Sequence, residues 1–265
     1  MPLGHKTISE SCASLRGIEF DDYAPSYAAG MENSLKALLG KCADQYIEVK
    51  LRWLLRHFPT LRAAGAAVRV LDYGCGTATL LRLMAVAGVR ATLVGCDVSS
   101  RMLKEAEHRW PERLCAAKPA LHLQQGAYTP FHDGEFDLVV ISAVLHHVPP
   151  VDRPLVYAEL CRVARPDGHI VVFEHNPLNP VTRFVVSRTP IDRDAMLLRA
   201  REVACGLAEA GATSVRTRYL MFAPPRMRVP DMLEARLGWL PVGAQYVVTA
   251  TPRKRVPVEQ STLLP

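Results

Sequence analysis

The stretch Val68-Arg-Val-Leu-Asp-Tyr-Gly-Cys-Gly-Thr-Ala-Thr79 constrains this chain more than any other. It reads as a short apolar strand, a glycine-rich turn, and a helix starting near Ala78. Gly74 and Gly76 lack Cβ atoms, so the turn can be tight and a ligand can lie directly against the backbone. Asp72 falls at the strand's carboxyl end, where open α/β sheets bind ligands. A second strand, Ala91-Thr-Leu-Val-Gly-Cys-Asp97, ends in another acid about twenty residues on, a spacing suited to a ribose diol held by a carboxylate.

From residue 68 onward, apolar runs alternate with helical patterns, which predicts a mostly parallel, Rossmann-like α/β sheet with helices on both faces. Strands are expected at about 68–73, 91–97, 120–125, 136–142 and 169–174. The run at 136–142 is continuously apolar, as a buried central strand requires. Helices are expected at about 78–88, after Ser99 or Ser100 as cap, at 153–164 with a stop at Pro166-Asp-Gly168, and at 194–210. Two last strands, 213–220 and 244–250, flank a proline-bearing insertion at 221–242 and should pair antiparallel at the sheet edge. That makes seven strands. The domain reading is an N-terminal tail and helical lid (1–58), an α/β domain (59–252) with roofing segments at 176–195 and 221–242, and a basic tail (253–265).

A chain of 265 residues, 49% apolar, supports one large core. No run of eighteen apolar residues implies a membrane span, and Met-Pro-Leu-Gly-His-Lys lacks a secretory apolar segment. The seven cysteines are scattered with no CxxC pair, which favours reduced thiols and a cytoplasmic setting. The net charge of +6 is modest, and Arg253-Lys-Arg255 reads as a solvated tail rather than a nucleic-acid footprint.

Several chemistries remain for the glycine turn. A nicotinamide-dependent oxidoreductase wants GxGxxG, and Thr79 stands at the third glycine, which weakens that reading without excluding it. A P-loop fails because no GK[ST] follows.

Leu71-Asp-Tyr-Gly-Cys-Gly-Thr77, Gly95-Cys-Asp-Val-Ser-Ser-Arg-Met-Leu103, Phe136-Asp-Leu-Val-Val140, Leu145-His-His-Val148 and Leu160-Cys-Arg-Val-Ala-Arg-Pro-Asp-Gly168 occur in that order. Together they resemble class I S-adenosylmethionine-dependent methyltransferases, and most closely their small-molecule branch of quinone-biosynthesis and natural-product enzymes. The resemblance implies that Asp72, Gly74, Cys75, Gly76 and Thr77 hold the methionine part of the cofactor. It implies that Asp97 holds the ribose, Val98 and Met102 flank the adenine, Gln125-Gly126 meets the adenine edge, and Ser142 lies near the sulfonium. Ala78 stands where the family usually has a third glycine, and Gln125 where it usually has Asp. Phe20-Asp-Asp-Tyr-Ala-Pro-Ser-Tyr27 resembles the tyrosine-bearing lids of this branch, which makes Tyr23 and Tyr27 lid contacts and Lys50 a partner for the cofactor carboxylate.

Methyl transfer mainly requires a nucleophile held close and in line, and a phenol, alcohol or activated carbon must also lose a proton. His146 and His147 beyond the fourth strand, and Glu174 and His175 at the end of the fifth, are the candidate catalytic groups. No metal site is expected from them, because successive side chains of a strand diverge. A nucleic-acid substrate is disfavoured, since Ser142-Ala-Val-Leu145 stands where amino-methylating enzymes carry [ND]PP[YF] and no cysteine stands at the end of strand 4 or 5. Met221, Phe222, Met227, Met232, Leu233 and Trp239 are candidate linings of an apolar acceptor pocket. Neither the acceptor atom nor the number of subunits is encoded in these motifs.

Overall fold

The computed structural model describes residues 21, 44–65, 67–225, 227 and 231–253. Tyr23, Tyr27, residues 1–20 and 254–265 lie outside the described residues, so the lid tyrosines and most of the tail expectation stay with the sequence. Helix α1 (Asp44–His57) leads into β1 (Val68–Tyr73), α2 (Thr79–Val86), β2 (Ala91–Asp97), α3 (Ser100–His108), β3 (Ala120–Leu123), β4 (Phe136–Ser142), α4 (Arg153–Val163) and β5 (Ala164–His175). Then come α5 (Pro180–Ser187), α6 (Ala200–Glu209), β6 (Ala212–Leu220), α7 (Asp231–Leu237) and β7 (Gln245–Pro252).

The strands form one sheet in the order β3-β2-β1-β4-β5-β7-β6. The first five pair in parallel, and β7 runs antiparallel to both β5 and β6. The expected antiparallel pair is present, with β7 inserted between β5 and β6 rather than outermost. Leaving β1, the chain builds outward through β2 and β3, then returns to place β4 on the other side of β1. That reversal opens a crevice beyond the carboxyl ends of β1 and β4.

Period-two alternation explains the two cores. Val139 and Ile141 of β4 pack with Val156 and Leu160 of α4 and Val203 and Leu207 of α6. Their neighbours Leu138 and Val140 face the opposite layer, with Leu54 of α1 and Leu81 and Met84 of α2. The continuous apolar run at 136–142 is thus a strand covered on both faces.

Three boundaries moved. The helix expected from 194 begins at Ala200, and Pro190–Asp192 forms a separate 3-10 turn. Strand β5 starts at Ala164, five residues early: Ala164 pairs with Phe136 and His169 with Leu138, so Pro166-Asp-Gly168 bulges from a strand instead of preceding one. Strand β3 stops at Leu123, two residues short, because Gln125 and Tyr128 exchange backbone hydrogen bonds across a turn.

Candidate active site

A cavity of about 410 Å³ occupies the crevice. Gly74 follows β1, Asp97 ends β2, Ser142 ends β4 and His175 ends β5, and all four line it. Strand-end convergence therefore does what the chain order alone does not show.

At one end the glycine turn lies open. Gly74 has φ +70, and a Cβ on it would stand 2.6 Å from Val144 Cγ2. No side chain fits there, so the backbone itself forms the wall. Asp97 is clamped beneath the turn: its carboxylate accepts from the N–H of Gly76 at 2.8 Å and of Ser99 at 2.9 Å. Burial raises the Asp97 carboxyl above its ordinary range, and these backbone donors pull it partly back. Ser99 caps α3 by accepting from Met102 N–H at 3.1 Å, and its hydroxyl donates to Asp21 at 2.5 Å. Val98, Met102 and Gly126 complete this end of the cavity.

The expected Gln125 does not reach the cavity: it is exposed, and Gln124 lines the wall instead. The reason is parity. Leu123 faces outward, so the next side chain along the strand direction turns inward. Gln124 donates to Gly126 O at 2.8 Å, while its Oε1 is buried with no hydrogen-bond partner. Cys75 and Thr77 also stand back from the cavity: Cys75 is buried in the core beside Gly95 and Leu81, and Thr77 Oγ1 lies 3.4 Å from Thr79 Oγ1. Ala78 takes the left-handed backbone, φ 55, that the family's usual glycine would hold without strain.

Asp72 lies behind the wall, 3% exposed. Burial pushes its carboxyl up to about 7, with Lys50 drawing it back and Asp97 adding to the rise. Helix α1 brings Lys50, itself 2% exposed, through the core to the cavity. Its ammonium donates to Ser142 Oγ at 2.8 Å.

Beyond β4 and β5 a polar corner forms. Glu174 Oε1 accepts from the N–H groups of Val144 and Leu145 at 3.0 and 2.7 Å, and Oε2 accepts from His146 Nδ1 at 2.6 Å. Burial opposes charge on both partners. Glu174 and Asp192 outweigh it and lift His146 to about 9, and His146 in turn holds Glu174 at about 2. His146 and Glu174, each 1% exposed, sit behind the cavity and position its floor. His147 and His175 line it. Burial lowers both imidazoles, His175 to about 3, with the His146 charge also disfavouring their cations.

Asp192 was not anticipated. The turn at Pro190–Asp192 delivers it to the cavity, with Oδ1 3.6 Å from His146 Nε2 and 3.5 Å from His147 Nε2. No periodicity marks it, and an acid in a loop reads as solvated. Its charge is held well below the ordinary range: burial opposes this, but His146 and His147 outweigh it. The expectation that adjacent histidines diverge rested on strand geometry. Leu145–His147 is instead a 3-10 turn, and both rings approach one carboxylate.

The roof combines α5, the Asp192 turn and Met221–Pro225. Asn176 ties the β5 exit to the β7 entry by donating to Pro241 O and Gly243 O at 3.0 and 2.8 Å. Of the apolar lining candidates, Met221 and Phe222 face the cavity; Met227, Met232, Leu233 and Trp239 are exposed.

The family of methyltransferase domains matches residues 70–168, from β1 to the bulge of β5. The demethylmenaquinone methyltransferase of Beutenbergia cavernae is 41% identical over 117 residues, 43% of this chain and 45% of that protein. Residues 70–168 are those of a methyltransferase domain of the class I S-adenosylmethionine-dependent kind. The ubiquinone biosynthesis O-methyltransferase of Thiobacillus denitrificans is 36% identical over 122 residues, 46% of this chain and 48% of that protein. The chain thus spans about half the length of these curated relatives. The magnesium protoporphyrin IX methyltransferase of Synechocystis PCC 6803, solved with bound S-adenosylhomocysteine, matches at 18% identity over 89% of this chain and 98% of that one. Its TM-score of 0.59 is a likeness of fold.

S-adenosylmethionine is the cofactor of this family, so the nicotinamide alternative gives way. The residues present fit it. Gly74 leaves a cradle that a Cβ would fill, and the unpartnered Gln124 Oε1 is an acceptor suited to the adenine amine. Among the described residues, no helix is long and apolar enough to cross a membrane.

Proposed function

We propose that this protein transfers a methyl group from S-adenosylmethionine to a small, largely apolar, ring-bearing acceptor with an ionisable oxygen or an adjacent activated carbon. One observation carries the reading. A single cavity joins the Gly74–Asp97–Gln124 cradle to an apolar roof and a polar floor. The bound cofactor supplies a methyl group activated by a sulfonium. The protein's task is then to hold the acceptor in line and exclude water.

Asp97 and Gln124 hold the nucleoside, Met102 and Val98 flank the base, and Lys50, with its ammonium on Ser142, faces the cofactor carboxylate. Val181, Val185, Val186, Met221 and Phe222 pack against the acceptor's apolar body. Its nucleophilic atom meets the polar corner of His147, Asp192 and His175, which favours loss of its proton. His146 and Glu174 act through these groups as positioning residues. The named relatives act on a demethylmenaquinone and in ubiquinone biosynthesis, and reduced quinone-like phenols match this division of apolar body and acidic oxygen.

The test is a thermal-shift titration with S-adenosylhomocysteine and with NAD(P), followed by methyl transfer from labelled S-adenosylmethionine to a panel of short-chain hydroquinones. Stabilisation by S-adenosylhomocysteine alone and labelled product are expected. Stabilisation by NAD(P) alone, or cofactor binding with no product across phenolic acceptors, would overturn the assignment.

A further inference from the structure

We propose that His146, His147 and Asp192 form a divalent transition-metal site whose open position faces the acceptor end of the cavity. One ring nitrogen from each of His146 and His147 and one Asp192 oxygen lie within 4.8 Å of one another. The Asp192 separations are 3.6 and 3.5 Å. Those are long for hydrogen bonds, which centre near about 2.9 Å. They match the edge of a tetrahedron instead, because ligands at about 2.1 Å from a four-coordinate ion stand about 3.4 Å apart.

Two further observations point to a cation. His146 Nε2 is buried with no hydrogen-bond partner, an expensive state for a polar atom 1% exposed. Its other nitrogen, Nδ1, is bound by Glu174 at 2.6 Å, and Glu174 is itself fixed by two backbone N–H groups. A carboxylate behind a histidine orients the ring and raises its basicity toward a metal. Two imidazoles and one carboxylate suit zinc or iron(II), and leave one or more positions for an outside ligand. His147 and Asp192 line the cavity while His146 is walled off behind them. The open position therefore faces the acceptor. A phenolic or enolic oxygen is a fitting ligand there, since the cation stabilises its anion.

The role assigned to the metal rests on the methyl-transfer reading; the site itself does not. The untagged full chain, stripped with chelator, is titrated with Co²⁺ while visible absorption and calorimetry are followed. One ion per chain at micromolar affinity or better is expected, with the intense visible bands of a four- or five-coordinate nitrogen–oxygen site. Asp192→Ala and His147→Ala should each weaken binding at least 100-fold. Glu174→Gln, which keeps the shape of the supporting group, should weaken it about 10–100-fold. Each variant is also titrated with S-adenosylhomocysteine as a check on folding. Should either ligand variant fail that check, the other and Glu174→Gln carry the decision. Absence of stoichiometric binding, or binding unaltered in the folded variants, overturns the metal site. Loss of S-adenosylhomocysteine binding in the wild-type chain would instead strike the methyl-donor reading, and the two failures are separate readouts.

Discussion

Asp72→Asn should make the cofactor-free protein more stable in base and less dependent on pH. The Asp72 carboxyl sits at about 7 in the fold against 3.8 when unperturbed, because the fold takes it out of water. Between those values the native state keeps a proton that the unfolded chain has lost. The proton-linked contribution to stability is thus fully present below about 3.8, falls as pH rises, and is gone above about 7. Over that interval of roughly three pH units, at about 1.36 kcal/mol each, the most it can change is about 4 kcal/mol. From pH 5 to pH 8 the loss is about 3 kcal/mol, since it ceases near the folded value. Asparagine carries no proton to lose. Urea unfolding of wild type and variant at the two pH values checks this, with the difference between the two pH dependences as the readout. Lys50→Met removes the cation that draws Asp72 down, so it should extend the decline to higher pH. Parallel pH profiles for wild type and Asp72→Asn would refute the argument. A positive result would show an acid held at the carboxyl end of β1 against its own solvation, as binding sites do and cores do not.

Three further outcomes are expected. Asp97→Ala should weaken S-adenosylhomocysteine binding by roughly 1.5–3 kcal/mol, the scale of hydrogen bonds to a charged group, as read by calorimetry; no loss would place the ribose elsewhere. Gln124→Leu should lower that affinity severalfold while Gln125→Ala leaves it unchanged, and the opposite ranking would reverse the side-chain parity argued for the end of β3. Gly206→Ala should destabilise the fold by about 1–3 kcal/mol despite a helix-propensity gain of about 1 kcal/mol, because the new Cβ would stand 2.2 Å from the Tyr157 ring; a higher urea midpoint would show that α6 shifts freely on α4.

The sequence by itself determined the parts whose cause is local. Gly74 and Gly76 mark a turn that no larger residue can form without strain, and the apolar run at 136–142 can only be buried on both faces. The strand-end acids Asp72 and Asp97 are legible because strand length and the glycine turn place them. Lys50 and Ser142 came instead from the family resemblance, which did not show the hydrogen bond that joins them across 92 residues of chain. What required the tertiary structure depends on where a segment ends or on which distant loop crosses it. The inward side chain at the end of β3 is Gln124 rather than Gln125, because direction reverses at each residue and Leu123 already faces outward. A 3-10 turn where a strand end was assumed let His146 and His147 converge. Asp192 entered the site through a loop between two helices with no pattern of its own. Periodicity reports which face of an element is dry; it carries no information about which loops the sheet's crossing order brings over its carboxyl edge. The glycine-turn cradle is therefore written along the chain, whereas the polar corner beyond β4 and β5 exists only once the sheet is assembled.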